Sequence, residues 1–316
     1  MSRSADRAYA LLVLLALTSS AILMILLGTL LPRVDDLFAR GTRATADVVA
    51  ALVLLLAFGG IALGLVALFR QLSETVALIR TLLSRRIATP AAVAALAHEL
   101  GLGGRVDVVS DRRPFSFCYW FLRPRICLST GLVGRLDGDE LAAVLLHERY
   151  HLRHRDPLRL VIARYFAAGL YVVPVVEELV EYYTVQKEIA ADQDAVRTTG
   201  GVRALASALY KVLPDADDVS LGLLVPVGSL SVTEARIDQL VDGRAVPLAL
   251  SRVGVALSGG ALVAATILAL SQAAFHAAID PVTPLTALWS FVGPASLLVA
   301  AAVTGGARQL RLVARR

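Results

Sequence analysis

The chain has 316 residues, a formal net charge of +5, and a composition that is 57% hydrophobic and only 18% charged. A soluble protein is nearer roughly half apolar and a quarter charged, and the apolar excess here lies in long uninterrupted blocks. This composition excludes intrinsic disorder, a collagen-like fibre and a small disulfide scaffold, and it predicts a mainly α membrane protein.

Four apolar blocks are long enough to cross the hydrocarbon core of a bilayer, which takes about 20 residues. None of them contains a charged residue. They run from Ala8 to Leu31, from Val48 to Phe69, from Val253 to Phe275 and from Val282 to Ala307. The first is longer than the apolar part of a typical signal peptide, and no clear cleavage site follows it, so we expect it to be retained. The sequence therefore predicts four transmembrane helices, two within residues 1–70 and two within residues 249–316, which end in a basic tail.

Basic residues follow the second and fourth blocks, and such residues are enriched on the cytoplasmic side of membrane spans. They are Arg70, Arg80, Arg85 and Arg86, and then Arg308, Arg311, Arg315 and Arg316. The turn from His276 to Asp280 has no Lys or Arg, as expected of an external loop. We therefore expect a multi-pass protein with both termini and the central segment in the cytoplasm. The same bias accounts for the positive net charge, so we expect no direct nucleic-acid partner.

Residues 71–248 lie between the two pairs of predicted spans, and we expect the functional domain there. Ala91 to Leu100 has the pattern of a short helix that ends at Gly101. Val106–Val109 is typical of a strand, and Ser116–Phe121 with Arg125–Ser129 is typical of a β-hairpin. The pattern beyond these segments is helical. Together they predict a cytoplasmic α+β domain with a small antiparallel sheet.

The segment from His147 to His151 contains the pattern H-E-x-x-H. Residues four apart lie on one helix face, so both imidazoles can reach one metal ion. Zinc binds histidine nitrogen, and a catalytic zinc site keeps one position for a water whose proton Glu148 could accept. Asp137 and Glu140 form a capping-box pattern at the start of this helix. Because exposed helices also contain this pattern by chance, a third ligand is needed to support a metal site.

His154 is an unsuitable third ligand, since seven residues from His147 is about 10 Å along a helix axis. Glu188 and Asp192 are better candidates, because they lie four residues apart on a second predicted helix. One of them can bind the metal while the other orients a ligand imidazole. Ala191 is small enough to let the two helices approach closely. The alternative, a solvated acidic helix face, is disfavoured by the H-E-x-x-H upstream.

The stretch from Leu158 to Val176 is apolar apart from Arg159 and Arg164, and it resembles a fifth span. A full crossing would leave Glu188 on the opposite side of the membrane from the histidines. We therefore expect the chain to reverse near Gly169 to Pro174 and to form a membrane-associated helical hairpin over residues 157–176, within a peptidase domain of residues 71–248.

Several segments of the central domain form a combined pattern. They are Phe115–Phe117, Arg123–Leu132, His147–Leu158, Glu188–Asp192 and Ala235–Ile237. Together they resemble bacterial membrane zinc metallopeptidases of the beta-lactam-sensor/antirepressor type. The related heat-shock and CAAX-prenyl membrane peptidases share H-E-x-x-H with E-x-x-A-D and resemble the chain less. The resemblance implies a gluzincin-like peptidase domain in the bacterial cytoplasmic (inner) membrane.

Carried over to this sequence, the resemblance implies that His147, His151 and Glu188 bind Zn²⁺ and that Glu148 is the catalytic base. It implies that Asp192 supports a ligand imidazole. It also implies that Asp156 supports the site without binding the ion, as a structural ion-pair acceptor for which a nearby arginine is one candidate partner. Antibiotic sensors of this family carry an external penicillin-binding domain after the last span, whereas this sequence stops at Arg316, so we do not expect antibiotic sensing.

The predicted function is a zinc-dependent metalloendopeptidase that cleaves a protein or peptide substrate at the cytoplasmic face of the bilayer. A cytoplasmic transcriptional repressor is one substrate, which would place the protein in signal transduction. A housekeeping protease for membrane-protein quality control is an alternative. A second alternative is a non-catalytic signalling scaffold with a structural metal, although Glu148 disfavours it because a structural zinc site needs no base.

Three further features have open interpretations. The predicted hairpin offers an edge strand for an extended peptide, or its aromatic residues simply pack inward. Cys118 and Cys127 are expected as buried apolar residues, because a disulfide across the hairpin is disfavoured in the cytoplasm. The residues able to stabilise an oxyanion are Tyr182, Tyr183 and Arg236, and a structural role is favoured for each.

Overall fold

The structure is a computed structural model that describes residues 3–40, 45–212, 236, 239–240 and 247–279. Their arrangement divides the chain into two compact units. The first, called here the α/β unit, comprises the described residues of Met1–Tyr9, Ala77–Ile162 and Glu181–Ala249. The second, called here the helical unit, comprises those of Ala10–Val76, Ala163–Val180 and Leu250–Arg316.

Three long helices contain most of the apolar blocks. They are α1 (Arg3–Arg40), α2 (Thr45–Leu83) and α9 (Arg252–Ile279). Within them, Ser4–Leu31, Ala51–Leu83 and Arg252–Leu270 are long and apolar enough to cross a membrane. These agree with the first three predicted spans. The fourth, from Val282 to Ala307, lies outside the described residues.

The α/β unit contains a four-stranded sheet and all or part of six shorter helices. The strands are β1 (Arg86–Ile87), β2 (Val106–Val109), β3 (Ser116–Tyr119) and β4 (Arg125–Ser129). The helices that complete the fold are α3 (Ala91–Glu99), α4 (Thr130–Arg135), α5 (Gly138–His154), α6 (Asp156–Gly169), α7 (Val175–Thr199) and α8 (Arg203–Val212), of which α6 and α7 also reach into the helical unit.

The sheet is mixed, so the prediction of an antiparallel sheet is wrong. Its strand order is β1-β2-β4-β3, and β2 pairs with β4 in parallel while the other two pairs are antiparallel. The predicted hairpin is present, but it joins β2 through its second strand. Strand β3 runs opposite to β2, and the chain turns back at the hairpin, so β4 runs in the same direction as β2. The strand pattern identifies the hairpin, whereas its point of attachment depends on tertiary packing.

One buried carboxylate connects all four strands. Asp107 on β2 is fully buried and accepts hydrogen bonds from Tyr119 on β3 and from Arg125 Nε on β4, the latter at 2.5 Å. Arg86 on β1 forms an ion pair with the same carboxylate at 2.5 Å. Burial acts to raise the pKa of Asp107, but these partners outweigh it and lower the pKa. The carboxylate is therefore ionised and connects β2 to the other three strands.

Helix α5 is held at its start and along its length. Asp137 caps it, and Glu140 completes the predicted capping box by accepting from the Asp137 amide at 2.9 Å. Glu140 also accepts from Ser207 Oγ at 2.6 Å and forms an ion pair with Lys211 at 2.6 Å, which ties α5 to α8. Leu141 and Leu145 of α5 pack into the core formed with the sheet. These contacts fix the helix that carries the H-E-x-x-H pattern.

The chain reverses where the sequence predicts. Helix α6 ends at Gly169, and α7 begins at Val175 after a short turn. In the helical unit Gly169 lies close to α2, since a Cβ atom on Gly60 would come within 2.4 Å of the Gly169 carbonyl oxygen. Only glycine at position 60 permits this approach. Insertion of the hairpin over residues 157–176 into the membrane stays a prediction.

Candidate metal centre

Two helices bring the predicted metal ligands together in the α/β unit. Helix α5 contributes His147 and His151, and α7 contributes Glu188. The Nε2 atoms of the two imidazoles are 3.0 Å apart, and Glu188 Oε2 lies 3.4 Å from the first and 3.6 Å from the second. All three ligand atoms lie within 4.8 Å of one another. The 36 residues between His151 and Glu188 therefore leave the centre and return to it.

This separation suits a zinc ion. Ligands that hold zinc tetrahedrally at about 2.0–2.1 Å are about 3.3–3.4 Å apart. The two distances from Glu188 are close to this value, and the distance between the imidazoles needs to widen by only a few tenths of an ångström. His147, His151 and Glu188 therefore form a donor set of the right chemistry and spacing to hold the ion.

Each candidate ligand imidazole is oriented by a carboxylate. His147 Nδ1 lies 2.8 Å from Asp192 Oδ1, and His151 Nδ1 lies 2.7 Å from Asp156 Oδ2. Because an ionised carboxylate only accepts, Nδ1 of each ring is the donor. In the neutral imidazole this leaves the Nε2 lone pair free, and both lone pairs face the same point. The site thus directs two nitrogen acceptors at one position.

The two orienting carboxylates have partners of their own. Arg236 donates two hydrogen bonds to Asp192, each at 2.7 Å, and Asp192 is fully buried. Burial acts to raise the pKa of Asp192, but the Arg236 guanidinium outweighs it and lowers the pKa. Asp156 accepts from Tyr183 Oη at 3.4 Å. Among the described residues, His151 and Tyr183 are the hydrogen-bond partners of Asp156, and Arg159 interacts with its charge. The role of Asp156 as an ion-pair acceptor stays a prediction.

The electrostatics of the centre favour a cation. Burial acts against a charged imidazole, yet the Glu188 carboxylate and Asp156 raise the pKa of His151 to about 10. Burial would also raise the pKa of Glu188, but His151 and Lys187 hold it well below its usual range. The carboxyl group is therefore ionised, and a positive charge is stabilised where the three ligand atoms meet.

Glu148 lies beside the candidate ligands and is 5% exposed. Its Oε1 atom accepts a hydrogen bond from Ser116 Oγ at 2.8 Å. Its Oε2 atom is buried and has no hydrogen-bond partner among the residues that the structure describes. A buried carboxylate oxygen without a partner is costly, so this oxygen is available for a water molecule or a substrate group.

Strand β3 is one of the two outer strands of the sheet, and it packs against α5. It is shorter than predicted, because Trp120 adopts a left-handed backbone conformation with φ of 70° that ends the strand at Tyr119. The predicted inward packing of the aromatic residues applies in part, whereas alignment of a peptide on this strand stays a prediction. Phe115 and Tyr119 are buried in a core cluster, whereas Phe117 is only partly buried. One edge of β3 is unpaired within the described sheet.

The two cysteines do not face each other. Cys118 pairs with Ile126 and Cys127 pairs with Phe117, so the cysteine side chains lie on opposite faces of the hairpin. Both are free thiols, and they pack into different core clusters. Burial raises the pKa of Cys118 and raises that of Cys127 to about 12, so both are protonated apolar residues. A disulfide between them is excluded by this register.

Residues 38–240 match the BlaR1 peptidase M56 family, which is more than half of the chain. The chain belongs to this family. The match includes both helices of the candidate metal centre, and it confirms the resemblance predicted from the sequence motifs.

The curated relatives include proteins named Protease HtpX homolog. The one from Acidiphilium cryptum (strain JF-5) is 32% identical over 152 residues, which cover 37% of this chain and 53% of the relative. The one from Moorella thermoacetica is 30% identical over 121 residues, covering 28% and 40%. The one from Methanothermobacter thermautotrophicus is 28% identical over 121 residues, covering 31% and 47%. The chain thus spans about half or less of the length of these relatives.

Lys187 and Ser116 contact residues of the candidate metal centre, although the sequence analysis assigns neither of them a role there. Lys187 is only 12% exposed at its side chain, and its Nζ atom lies 3.4 Å from Glu188 Oε1. Ser116 is predicted only as a strand residue, yet it contacts Glu148. Lysine is rarely buried unless it is paired, and its position next to Glu188 in sequence is the one available signal. For Ser116 the sequence offers no signal, because 32 residues separate it from its partner.

Two of the three residues considered for oxyanion stabilisation, Arg236 and Tyr183, contact other groups. The Arg236 guanidinium binds Asp192, and its Nη1 atom lies 3.8 Å from Glu188 Oε2. Tyr183 is fully buried and donates to Asp156. Both contacts agree with the structural roles favoured for these residues. Lys187 is a further cationic side chain at the centre, and it lies on the Glu188 oxygen that faces away from the imidazole contacts.

Proposed function

We propose that this protein is an integral-membrane zinc endopeptidase that hydrolyses peptide bonds of a protein substrate at the cytoplasmic membrane face. The observation that carries the proposal is the meeting of His147, His151 and Glu188 at one point, with the Glu148 carboxylate buried beside them. Membership of a peptidase family supports the same reaction. The three apolar helices support a location in the membrane.

In the proposed reaction, His147, His151 and Glu188 would hold the zinc ion, which would supply a Lewis acid able to lower the pKa of the attacking water. Glu148 accepts a proton from the attacking water at Oε2, the oxygen without a hydrogen-bond partner. The same oxygen then gives that proton to the departing amine, so that one water is consumed for each peptide bond broken. Asp192 and Asp156 keep both imidazoles oriented throughout.

The substrate is proposed to bind as an extended strand along β3. The free edge of this strand offers main-chain donors and acceptors beside α5, and a peptide added there gains backbone hydrogen bonds that do not depend on its sequence. An unfolded or extended segment of a protein meets this requirement, whereas a folded domain does not.

A substitution of the base tests this function directly. We expect Glu148→Gln to lower hydrolysis of fluorescein-labelled casein by the detergent-purified protein at least about 100-fold, since an amide cannot accept the proton. Bound zinc, measured by plasma mass spectrometry, should stay at one per chain. The matched control is Glu99→Gln, because Glu99 is exposed and follows His98 in a His-Glu pair that lacks the second histidine. Casein hydrolysis by Glu148→Gln at the wild-type rate would rule out the proposed mechanism.

The identity of the substrate separates two biological roles. A cytoplasmic transcriptional repressor as substrate would make the protein a component of signal transduction, and the resemblance to the beta-lactam-sensor/antirepressor type is the reason to favour this role. Membrane-protein quality control is the alternative, and it is compatible with the relatives that are named proteases. Quantitative proteomics of cells that express wild type or Glu148→Gln distinguishes them, since the first predicts one accumulating repressor and the second predicts many accumulating membrane proteins.

A further inference from the structure

A serine on the edge strand is bonded to the proposed base. Ser116 is the first residue of β3, and its hydroxyl donates to Glu148 Oε1 at 2.8 Å. We propose that Ser116 is a positioning residue that holds Glu148 Oε1, so that Oε2 alone faces the reaction. This inference rests on the proposed peptidase function, because it assigns a role within that reaction.

The backbone around Ser116 is fixed by its neighbours. The amide of Phe115 donates to Ser129 Oγ at 3.0 Å, and the amide of Ser129 donates to the Phe115 carbonyl oxygen at 3.1 Å. Ser129 Oγ also accepts from the Leu132 amide at 3.0 Å and so caps α4. The start of β3 is therefore attached to the junction of β4 and α4. The serine hydroxyl is presented to Glu148 from a constrained position.

The hydrogen bond distinguishes the two oxygens of the carboxylate. A glutamate side chain has three rotatable bonds, and fixing them costs conformational entropy unless a partner holds the group. Ser116 supplies that partner for Oε1, whereas Oε2 is buried without one among the described residues. The serine thus leaves a single oxygen for proton transfer and keeps it oriented between turnovers.

The same strand is also the proposed docking edge for the substrate. A peptide that pairs with β3 is held by the backbone of the strand that holds the base through Ser116. The distance between the scissile bond and Glu148 is then set by one structural element, which reduces errors in their alignment. Loss of the hydroxyl should therefore impair turnover much more than substrate binding.

Two substitutions at this position test the role. With fluorescein-labelled casein as substrate, we expect Ser116→Ala to lower kcat about 10-fold and to change KM less than about twofold. We expect Ser116→Thr to recover most of the lost kcat, because threonine keeps the hydroxyl and suits a strand. Bound zinc and melting temperature should match wild type in both variants.

The matched control is Ser207→Ala. Ser207 Oγ donates to Glu140 on the same helix, at 2.6 Å, but at the end of α5 away from the candidate metal ligands. This control should keep the wild-type kcat even if it lowers the melting temperature, so a change in stability can be told apart from a change in turnover.

A Ser116→Ala variant with wild-type kcat, or a Ser116→Thr variant as impaired as Ser116→Ala, would overturn the role of Ser116 and leave the peptidase function intact. Absence of Glu148-dependent hydrolysis in wild type would overturn both.

Discussion

The side chains that face the proposed metal depend on a second set of contacts behind them. His147 is held by Asp192, and Asp192 is held in turn by two hydrogen bonds from Arg236. This chain of contacts fixes the ring orientation and keeps its Nε2 lone pair directed at the centre. The metal affinity should therefore depend on residues that do not bind the ion.

A substitution at Asp192 measures this dependence. We expect Asp192→Asn to weaken zinc binding about 10–100-fold in competition with a chelator, because the amide keeps an acceptor for His147 but loses the charge that Arg236 neutralises. Asp194→Asn is the matched control, since Asp194 lies one half-turn further along α7 and pairs with Arg197 instead. An unchanged zinc affinity in Asp192→Asn would remove this residue from the support of the centre.

The candidate metal ligands could be predicted from sequence because the chemistry restricts them strongly. The two histidines four residues apart are readable from spacing alone. Spacing leaves Glu188 and Asp192 as alternatives for the third ligand, and the resemblance to a peptidase family selects Glu188. The partners of these residues are less readable. The hydrogen bond between Asp156 and His151 and that between Ser116 and Glu148 depend on where α6 and β3 pack. Such contacts depend on tertiary packing, which leaves no local pattern.

At the level of elements, the close approach of α5 and α7 depends on small residues. Ala190 and Ala191 of α7 are buried against Tyr150 of α5, and Ala191 has no exposed surface. We expect Ala191→Leu to destabilise the protein by about 1–3 kcal/mol and to weaken zinc binding, because the larger side chain separates the two helices. Thermal unfolding and zinc competition measure the two effects. Ala95→Leu on the exposed face of α3 is the control, and equal losses in both variants would contradict the account.

The sheet makes a prediction about pH. The pKa of Asp107 is lower in the folded protein than in the unfolded chain, where it is about 3.9. The ionised carboxylate therefore stabilises the fold above about pH 3.9, and this stabilisation is lost as the pH falls through the folded pKa. We expect Asp107→Asn to cost about 2 kcal/mol at pH 7. The difference in melting temperature from wild type should shrink below about pH 4. Asp139→Asn is an exposed control, and a difference that is constant down to pH 3 would contradict the role of Asp107.

The sequence predicts the elements of this sheet better than their arrangement. Alternation and turn residues place β2, β3 and β4 correctly, apart from the early end of β3 at Trp120. The mixed topology could not be predicted, because the local pattern of a strand is the same whether its neighbour is parallel or antiparallel. Asp107 offers a physical reason for the observed order, since one buried charge meets partners from all three other strands.

At the scale of the whole molecule, the return of the chain between His151 and Glu188 is the feature on which the site depends. Helices α6 and α7 meet at a turn instead of forming one crossing, so both halves of the centre come from the same side of the hairpin. The sequence predicts this reversal because a crossing would separate the ligands. Membrane insertion of the hairpin and the fourth span remain predictions.

The orientation in the membrane is testable with reporter fusions. We expect green fluorescent protein fused after Arg316 to fluoresce, because that end is predicted to be cytoplasmic. Alkaline phosphatase inserted at Asp280 should be active, since the turn there is predicted to be external. Active phosphatase after Arg316 would reverse the predicted topology and would place the candidate metal centre outside the cytoplasm.

The central claim is that two imidazoles and one carboxylate of this chain bind a single zinc ion. Zinc K-edge X-ray absorption of the detergent-purified protein tests it most directly, because the spectrum reports the atoms around the metal. We expect nitrogen and oxygen ligands at about 2.0–2.1 Å, with scattering from two imidazole rings that falls to one ring in His151→Ala. A spectrum without imidazole scattering, or one dominated by sulfur at about 2.3 Å, would contradict the account.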